Sequence, residues 1–401
     1  MIEKSKPIDT QLSNPENFLA GIPHHILAPL RKNNPVIWST DAFGNGFWSI
    51  TKYDDIVAVN RNAEVFSSAE GIMAFPGTTL GPGKPTMLME MDDPEHLLNR
   101  KLINRAFTLK QINQLEPSMR KVCRETIDSV KYLGRCDFVH DIAAAVPMRV
   151  ITQLIGNPVE DEDYLVALSD RVNAVGDTGP VMDAIEEVFQ YARAIAKLKS
   201  RSAPTTEKDM SDILLSADID GQKLSDIEYE LFFLLLLVAG NETTRTAISN
   251  GILGFINNPS QWKMLQSDPS LMESAIEEVL RWSTPALYMA RTATRDTKIG
   301  DQKVAAGEKV VMWYCSAHFD EDAIQDPMKF DITRKPGKQI SFGGGGIHYC
   351  LGANLALLEL RVLLEELLST FKQFELDGTT SYLRSNFSNA IVTLPIKFEL
   401  L

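Results

Sequence analysis

Cys350 is the residue whose surroundings most suggest chemistry. It lies in the run Ser341-Phe-Gly-Gly-Gly-Gly-Ile-His-Tyr-Cys-Leu-Gly352, just before an apolar stretch that opens a helix at Ala353. Backbone N–H groups at a helix N-terminus, together with the helix dipole, stabilise a thiolate. Glycines on both sides let a flat, bulky group approach the backbone closely. A single thiolate so placed suits a nucleophile or an axial ligand to haem iron. A lone cysteine without such a setting is more often a buried structural residue. The glycine run also invites a phosphate-loop reading, but the Gly-Lys-Ser/Thr that reading requires does not follow it.

A second constellation lies in the apolar run Leu231 to Gly240, which leads into Ala239-Gly240-Asn241-Glu242-Thr243-Thr244. A glycine followed by polar residues inside an all-apolar helix is costly unless those residues face something. Thr243 can bond back to a carbonyl of the preceding turn and open a groove in the helix. Alone, Glu242 and Thr243 read plausibly as a surface acid and a Ser/Thr kink. Glu278-Val-Leu-Arg281 places an acid and a base on one helix face, fit for a hydrogen-bonded ion pair. His96 and Arg100 share a face at i and i+4. Either one alone would more often be an ordinary ion-pair residue.

The elements that must position these groups are mostly helical. Val36-Ile-Trp38 and Phe47-Trp-Ser-Ile50 flank a turn and predict a hairpin. Residues 71–87 are rich in Gly, Pro and Thr and read as a long loop, a kind that is usually functional. Helical patterns run from Pro94 to about Lys199, with breaks near Gly134, at Gly156-Asn-Pro158 and from Gly176 to Pro180. Arg201 to Asp209 reads as a surface connection. Ser225-x-x-Glu228 predicts a capped helix running to Asn257, and Ser270-x-x-Glu273 a second through Trp282. Short strands follow at Met289 to Ala293, Lys298-Ile299 and Lys309 to Tyr314. A helix from Ala353 to about Phe371 and one strand from Ala390 to Phe398 complete the expectation.

Composition bounds the rest. The 401 residues carry 40 basic and 53 acidic side chains, a net charge of −13, with 44% hydrophobic and 23% charged residues. That is ordinary globular usage, far too apolar for a disordered chain. The acidic balance argues against whole-protein attraction to nucleic acid or anionic lipid. No apolar run reaches the roughly 18 residues of a membrane span, and the first residues show no signal-peptide core. Cys123, Cys136, Cys315 and Cys350 form neither a CxxC pair nor a zinc spacing. A cytoplasmic protein without a disulfide framework is expected.

From about residue 15 onward the chain resembles the cytochrome P-450 family. Phe342-Gly343-Gly-Gly-Gly-Ile-His348-Tyr-Cys350-Leu-Gly352-Ala353 is similar to its haem-binding signature, and Ala239 to Thr244 to its oxygen-activation segment. The resemblance implies haem b (iron protoporphyrin IX) on the Cys350 thiolate, with dioxygen as co-substrate. Phe342, Gly343, Gly352, Ala239 and Gly240 would border the cofactor, and His96, Arg100, Arg291 and His348 would meet its propionates. Thr243 would hydrogen-bond bound oxygen while Glu242 relays protons from solvent. Glu278 and Arg281 would be structural, joined by either Lys329 or Arg334. Ser316-Ala-His-Phe-Asp-Glu321 departs from the family's more usual Ala-Asn-Arg-Asp-Glu, which leaves the polar contacts there open.

The implied fold is mainly α with a smaller β portion, a triangular helical prism with a long central helix and small sheets. It would form one domain over 1–401, helix-rich at about 94–285 and 340–375 and β-rich at about 35–70, 286–315 and 376–401. The implied reaction inserts one oxygen atom of O2 into a C–H bond. Electrons would come from a ferredoxin and an NAD(P)H-dependent ferredoxin reductase, docking near Arg105, Lys110 and Lys338. Ile72, Met73, Phe75, Leu235, Val238, Ala286, Leu287, Met289, Ile391 and Val392 are the expected pocket, apolar enough for a sizeable hydrophobe. Val238 to Arg245 and Met312 to Ala317 look like the bacterial branch acting on methyl-branched lipids and sterol side chains, so a lipid, sterol or terpenoid is the expected substrate. A polyketide or other secondary metabolite is the alternative; a haem-thiolate sensor or a peroxygenase is a more distant reading. A monomer is expected.

Overall fold

A computed structural model describes residues 11–401 apart from 42, 75–86, 173–177, 202–207, 219–220 and 222. The chain is mainly helical with small sheets. The described residues gather into two compact units, the first drawn from 1–82, 246–350 and 379–394, the second from 83–245, 351–378 and 395–401.

The first unit is built on a five-stranded sheet. Val36–Thr40 and Gly46–Ile50 form the antiparallel hairpin the turn predicts, with Trp38 opposite Trp48. Gly46–Ile50 then pairs in parallel with Lys309–Trp313, which pairs antiparallel with Tyr288–Ala293. The period of two along Lys309–Trp313 divides its side chains between two apolar clusters. Val310 and Met312 pack with Trp48, Ile56 and Ile340, whereas Val311 and Trp313 pack with Phe18, Leu287 and Tyr288.

The second unit is mainly helical. Helices Glu116–Val130 and Ala353–Thr370 are joined at their surface by ion pairs of Arg120 with Glu366 at 2.8 Å and of Arg361 with Glu116 at 2.6 Å. Helix Ala145–Ile155 ends at Gly156, whose φ of 80° is left-handed and favours glycine. A three-stranded sheet, Arg135–Asp137, Pro395–Leu400 and Phe371–Leu376, closes this unit.

Three expectations need correction. Ser270 does not cap a helix: Asp268 caps a 3₁₀ turn over Pro269–Leu271 instead, and Ser270 spends its hydroxyl on Asp268 Oδ1 at 2.6 Å, so the helix runs Met272–Ser283. The C-terminal strand is two, Ile391–Thr393 in the first unit and Pro395–Leu400 in the second, each in its own sheet. Helix Thr178–Arg201 already contains Pro180, near its start, where proline is tolerated. Residues 176 and 177 of that expected break lie outside the described residues, as does most of the 71–87 loop.

The long helix spans Asp226–Asn257, 32 residues. Ser225 caps it as the spacing predicts, accepting from the Glu228 amide while Glu228 returns to the Ser225 amide. By length and composition it is apolar enough to cross a membrane, and most of its apolar window is buried within the protein.

Candidate functional site

In the first unit the cysteine loop is a run of left-handed backbone. Gly343, Gly344, Gly345 and Gly346 have φ of 98°, 65°, 104° and 85°, a conformation side-chain-bearing residues adopt only at a cost. At Gly346 space is also short, since a Cβ there would stand 2.4 Å from the Asn60 carbonyl oxygen. The loop is closed by Gly343 N–H donating to Ile340 O at 2.8 Å and Cys350 N–H donating to Phe342 O at 2.9 Å. The Cys350 side chain is exposed, whereas Phe342 is buried against Tyr349 with ring centroids 6.2 Å apart. His348 Nε2 lies 3.0 Å from Ser68 Oγ. Arg291 is buried on strand Tyr288–Ala293, and its Nη1 donates to Ala290 O at 2.7 Å.

Behind the loop lies the ion pair the Glu278/Arg281 spacing predicts. Arg281 Nε and Nη2 donate to the two Glu278 oxygens, each at 2.7 Å, with both residues essentially inaccessible. Arg334, not Lys329, supplies the third arm, its Nε donating to Glu278 Oε2 at 3.1 Å. Lys329 contributes only its carbonyl, which accepts from Arg281 and Arg334. The fork geometry explains the choice, because a guanidinium serves Glu278 and several carbonyls at once.

The first unit also holds most of the expected pocket residues. Ile72 O accepts from Ala290 N–H at 2.7 Å, which sets Ile72 beside the strand that carries Met289. Ala286 and Met289 are half-buried, while Leu287 between them packs wholly inside the Phe18, Tyr288 and Trp313 cluster. Met73 is half-buried and its carbonyl accepts from Lys309. Ile391 is buried and Val392 exposed, as expected for neighbours on a strand. Phe75 lies outside the described residues.

In the second unit the long helix departs from α geometry where its polar residues begin. Leu236–Gly240 forms a π turn, a local bulge of the kind found often at functional sites. Thr243 Oγ1 donates to Ala239 O at 2.6 Å, the back-bond the sequence predicts. Leu235, Val238, Ala239, Gly240 and Thr243 are half-buried. Glu242 is 8% exposed and ion-paired with Arg245. Ser169 braces the bulge, accepting from Asn241 Nδ2 at 3.1 Å and donating to Leu237 O at 3.2 Å. Gly240 leaves room for Ile151, whose Cδ1 would lie 3.0 Å from an added Cβ.

His96 and Arg100 lie on helix Glu95–Asn104 of this unit. Burial holds the His96 imidazole below its usual pKa, against the pull of Asp93 Oδ1 at 3.3 Å. Gly352 is the residue before helix Ala353–Thr370.

Sequence reading missed two buried groups. His318 of the first unit receives the Ile340 amide on Nε2 at 2.8 Å and sets Nδ1 2.7 Å from Thr284 Oγ1. Its only signal was the unusual Ser-Ala-His-Phe segment. Glu359 of the second unit is 2% exposed, and its carboxyl meets the Thr244 hydroxyl. Burial pushes that carboxyl up to about 8. An acid among Leu355, Leu358 and Val362 on the buried stripe of its helix was the available clue.

Among the described residues no group of three or more His, Cys, Asp or Glu could hold a metal ion. A single cysteine on a glycine loop, with arginines elsewhere in the chain, instead fits a thiolate that would hold haem iron and partners for its carboxylates. Residues 175–401 match the family model for cytochrome P450. The chain is 36% identical over 389 residues to the steroid C26-monooxygenase of Mycolicibacterium smegmatis, covering 93% of this chain and 90% of that one. It is 35% identical over 394 residues to the methyl-branched lipid omega-hydroxylase of Mycobacterium tuberculosis, with the same coverage. A Mycobacterium marinum cytochrome P450 solved in complex with pseudoionone superposes with a TM-score of 0.85 at 33% identity, covering 94% of each chain.

The protein belongs to the cytochrome P450 family. It is a monooxygenase, an oxidoreductase that hydroxylates a hydrophobic substrate, and its family implies haem on a cysteine thiolate and the use of dioxygen.

Proposed function

We propose that this P450 hydroxylates the terminal carbon of a methyl-branched lipid, a steroid side chain or a terpenoid. The observation that carries the reading is the likeness, over more than nine-tenths of the chain, to a steroid C26-monooxygenase and a methyl-branched lipid omega-hydroxylase. The apolar character of Ile72, Met73, Leu235, Val238, Ala286 and Met289 supports it.

Cys350 is the residue we assign to hold the haem iron through its thiolate, and His96, Arg100, Arg291 and His348 would hold the propionates. Haem, when bound, supplies the activation of dioxygen and the transfer of one oxygen atom. The protein's own part is to hold and move protons. Thr243 keeps its hydroxyl at the π turn through Ala239 O, where it can hand its hydrogen bond to an incoming oxygen species. Glu242, held by Arg245, is the group that exchanges protons with solvent, releasing its partner to do so. Glu278, Arg281 and Arg334 hold the backbone behind the cysteine loop.

Electrons come from a ferredoxin and an NAD(P)H-dependent ferredoxin reductase in the cytoplasm, to a protein that acts as a monomer over one catalytic domain. Arg105, Lys110 and Lys338, all exposed, are the cations assigned to that partner. The test is a titration of purified protein with a branched-chain fatty alcohol, a C27 sterol and a linear alkane, read by the haem spin-state shift, then turnover with a ferredoxin system. Branched and sterol ligands should shift the spectrum and yield terminal alcohols. A shift with the linear alkane alone, or attack at ring carbons, would overturn the substrate assignment.

A further inference from the structure

His318 lies between the buried ion pair and the cysteine loop, and its hydrogen bonds fix which nitrogen carries the proton. The Ile340 amide can only donate, so Nε2, 2.8 Å away, must be the bare acceptor. The ring hydrogen therefore sits on Nδ1 and is donated to Thr284 Oγ1 at 2.7 Å. Thr284 in turn donates to Arg281 O at 3.0 Å, and Arg281 Nη1 donates to His318 O at 2.8 Å. On the other side, Ile340 O receives Gly343 N–H at 2.8 Å, and Phe342 O receives Cys350 N–H at 2.9 Å. A run of hydrogen bonds thus leads from Arg281 through one imidazole to the first residues of the cysteine loop.

Two features show that this arrangement is held under constraint. Thr284 has φ of 36°, a left-handed conformation costly for a β-branched residue, sustained here by its two hydroxyl contacts. His318 is completely buried, and burial, with Arg281 nearby, holds its ring well below the usual imidazole range. A protonated ring would set an Nε2–H against the Ile340 N–H.

We propose that His318, as a neutral Nδ1–H imidazole, is a positioning residue that sets the start of the cysteine loop and so the place of the Cys350 sulfur. It touches neither substrate nor cofactor. The inference rests on Cys350 being the haem ligand, and it adds that the ion pair acts on the loop through this ring as well as through the helix backbone, where Ser341 Oγ donates to Leu280 O at 2.8 Å.

The test uses holoenzyme carrying His318→Phe or His318→Gln. Phenylalanine keeps the ring shape and removes both polar contacts. Glutamine places an amide oxygen near the Nε2 position and keeps an acceptor for the Ile340 amide. Two readouts are taken: hydrogen exchange of the Ile340 amide, and the share of the reduced carbon monoxide complex showing the thiolate-type red-shifted Soret band. His318→Phe should speed Ile340 exchange about tenfold, the loss of one hydrogen bond, and shift most of the complex away from the thiolate band. His318→Gln should restore both. A Phe variant with protected Ile340 and a full thiolate band overturns the proposal. If that variant does not fold, a Gln variant that loses both properties overturns it equally. A parent protein with no thiolate band would instead refute the assignment of Cys350, while Ile340 exchange still reports on His318.

Discussion

Replacing Glu359 by glutamine should stabilise this protein, by an amount that grows with pH. Glu359 is 2% exposed on helix Ala353–Thr370, its carboxyl meets the Thr244 hydroxyl, and Oε1 has no protein partner. The buried thiol of Cys123 lies within its electrostatic reach and is itself pushed up to about 12, so it adds no charge. Burial raises the carboxyl from 4.5 to about 8, with the Thr244 hydrogen bond working the other way. The folded protein therefore keeps a proton that the unfolded chain releases. Stability from this group is fully present below the unfolded pKa of 4.5 and is lost as pH rises through the folded value of about 8. With 1.36 kcal/mol per unit, the loss is about 1 kcal/mol at pH 5, about 3 at pH 7 and about 5 once the folded group has ionised. Glutamine has the same shape and does not titrate. Guanidinium unfolding of parent and Glu359→Gln, followed by far-ultraviolet circular dichroism at pH 5, 7 and 8.5, measures the difference directly. A difference that stays constant across that range, or a variant less stable at pH 8.5, would refute the reasoning.

Other consequences follow from the same geometry. Thr243→Ala removes the hydroxyl at the π turn and should divert reducing equivalents into hydrogen peroxide while substrate still shifts the spin state; coupled turnover at the parent's yield would sink its role. Gly346→Ala forces a Cβ against the Asn60 carbonyl in a left-handed backbone, so the purified variant should retain much less haem, read from the Soret-to-protein absorbance ratio. Glu278→Ala leaves Arg281 buried without its counter-charge and should cost about 3–5 kcal/mol. Arg334→Ala should cost less, because Arg281 still engages both Glu278 oxygens; thermal unfolding of the two variants ranks them.

Motifs in which residue type and spacing carry the chemistry were legible in the sequence. The Glu278/Arg281 ion pair, the Ser225 cap and the Thr243 back-bond each depend on residues three or four apart on one helix, where spacing alone sets geometry. What stayed hidden depends on partners far along the chain. Ser270 carries the same cap signature as Ser225, yet Asp268-Pro269 just before it starts a turn that takes its hydroxyl. The choice of Arg334 over Lys329 was settled by a contact 56 residues from Glu278. His318 and Glu359 each owe their character to burial, which local sequence does not report. The C-terminal strand divides at Leu394 because Ile391–Thr393 and Pro395–Leu400 find different sheets, a matter of tertiary pairing.

Everything proposed for the site depends on Cys350 supplying a thiolate to haem. The absorption spectrum of the purified, reduced protein before and after carbon monoxide tests it most directly, with Cys350→Ser measured alongside. The parent should show a strongly red-shifted Soret band and the variant should lack it. A histidine-type spectrum in the parent, or the same band in both proteins, would contradict it.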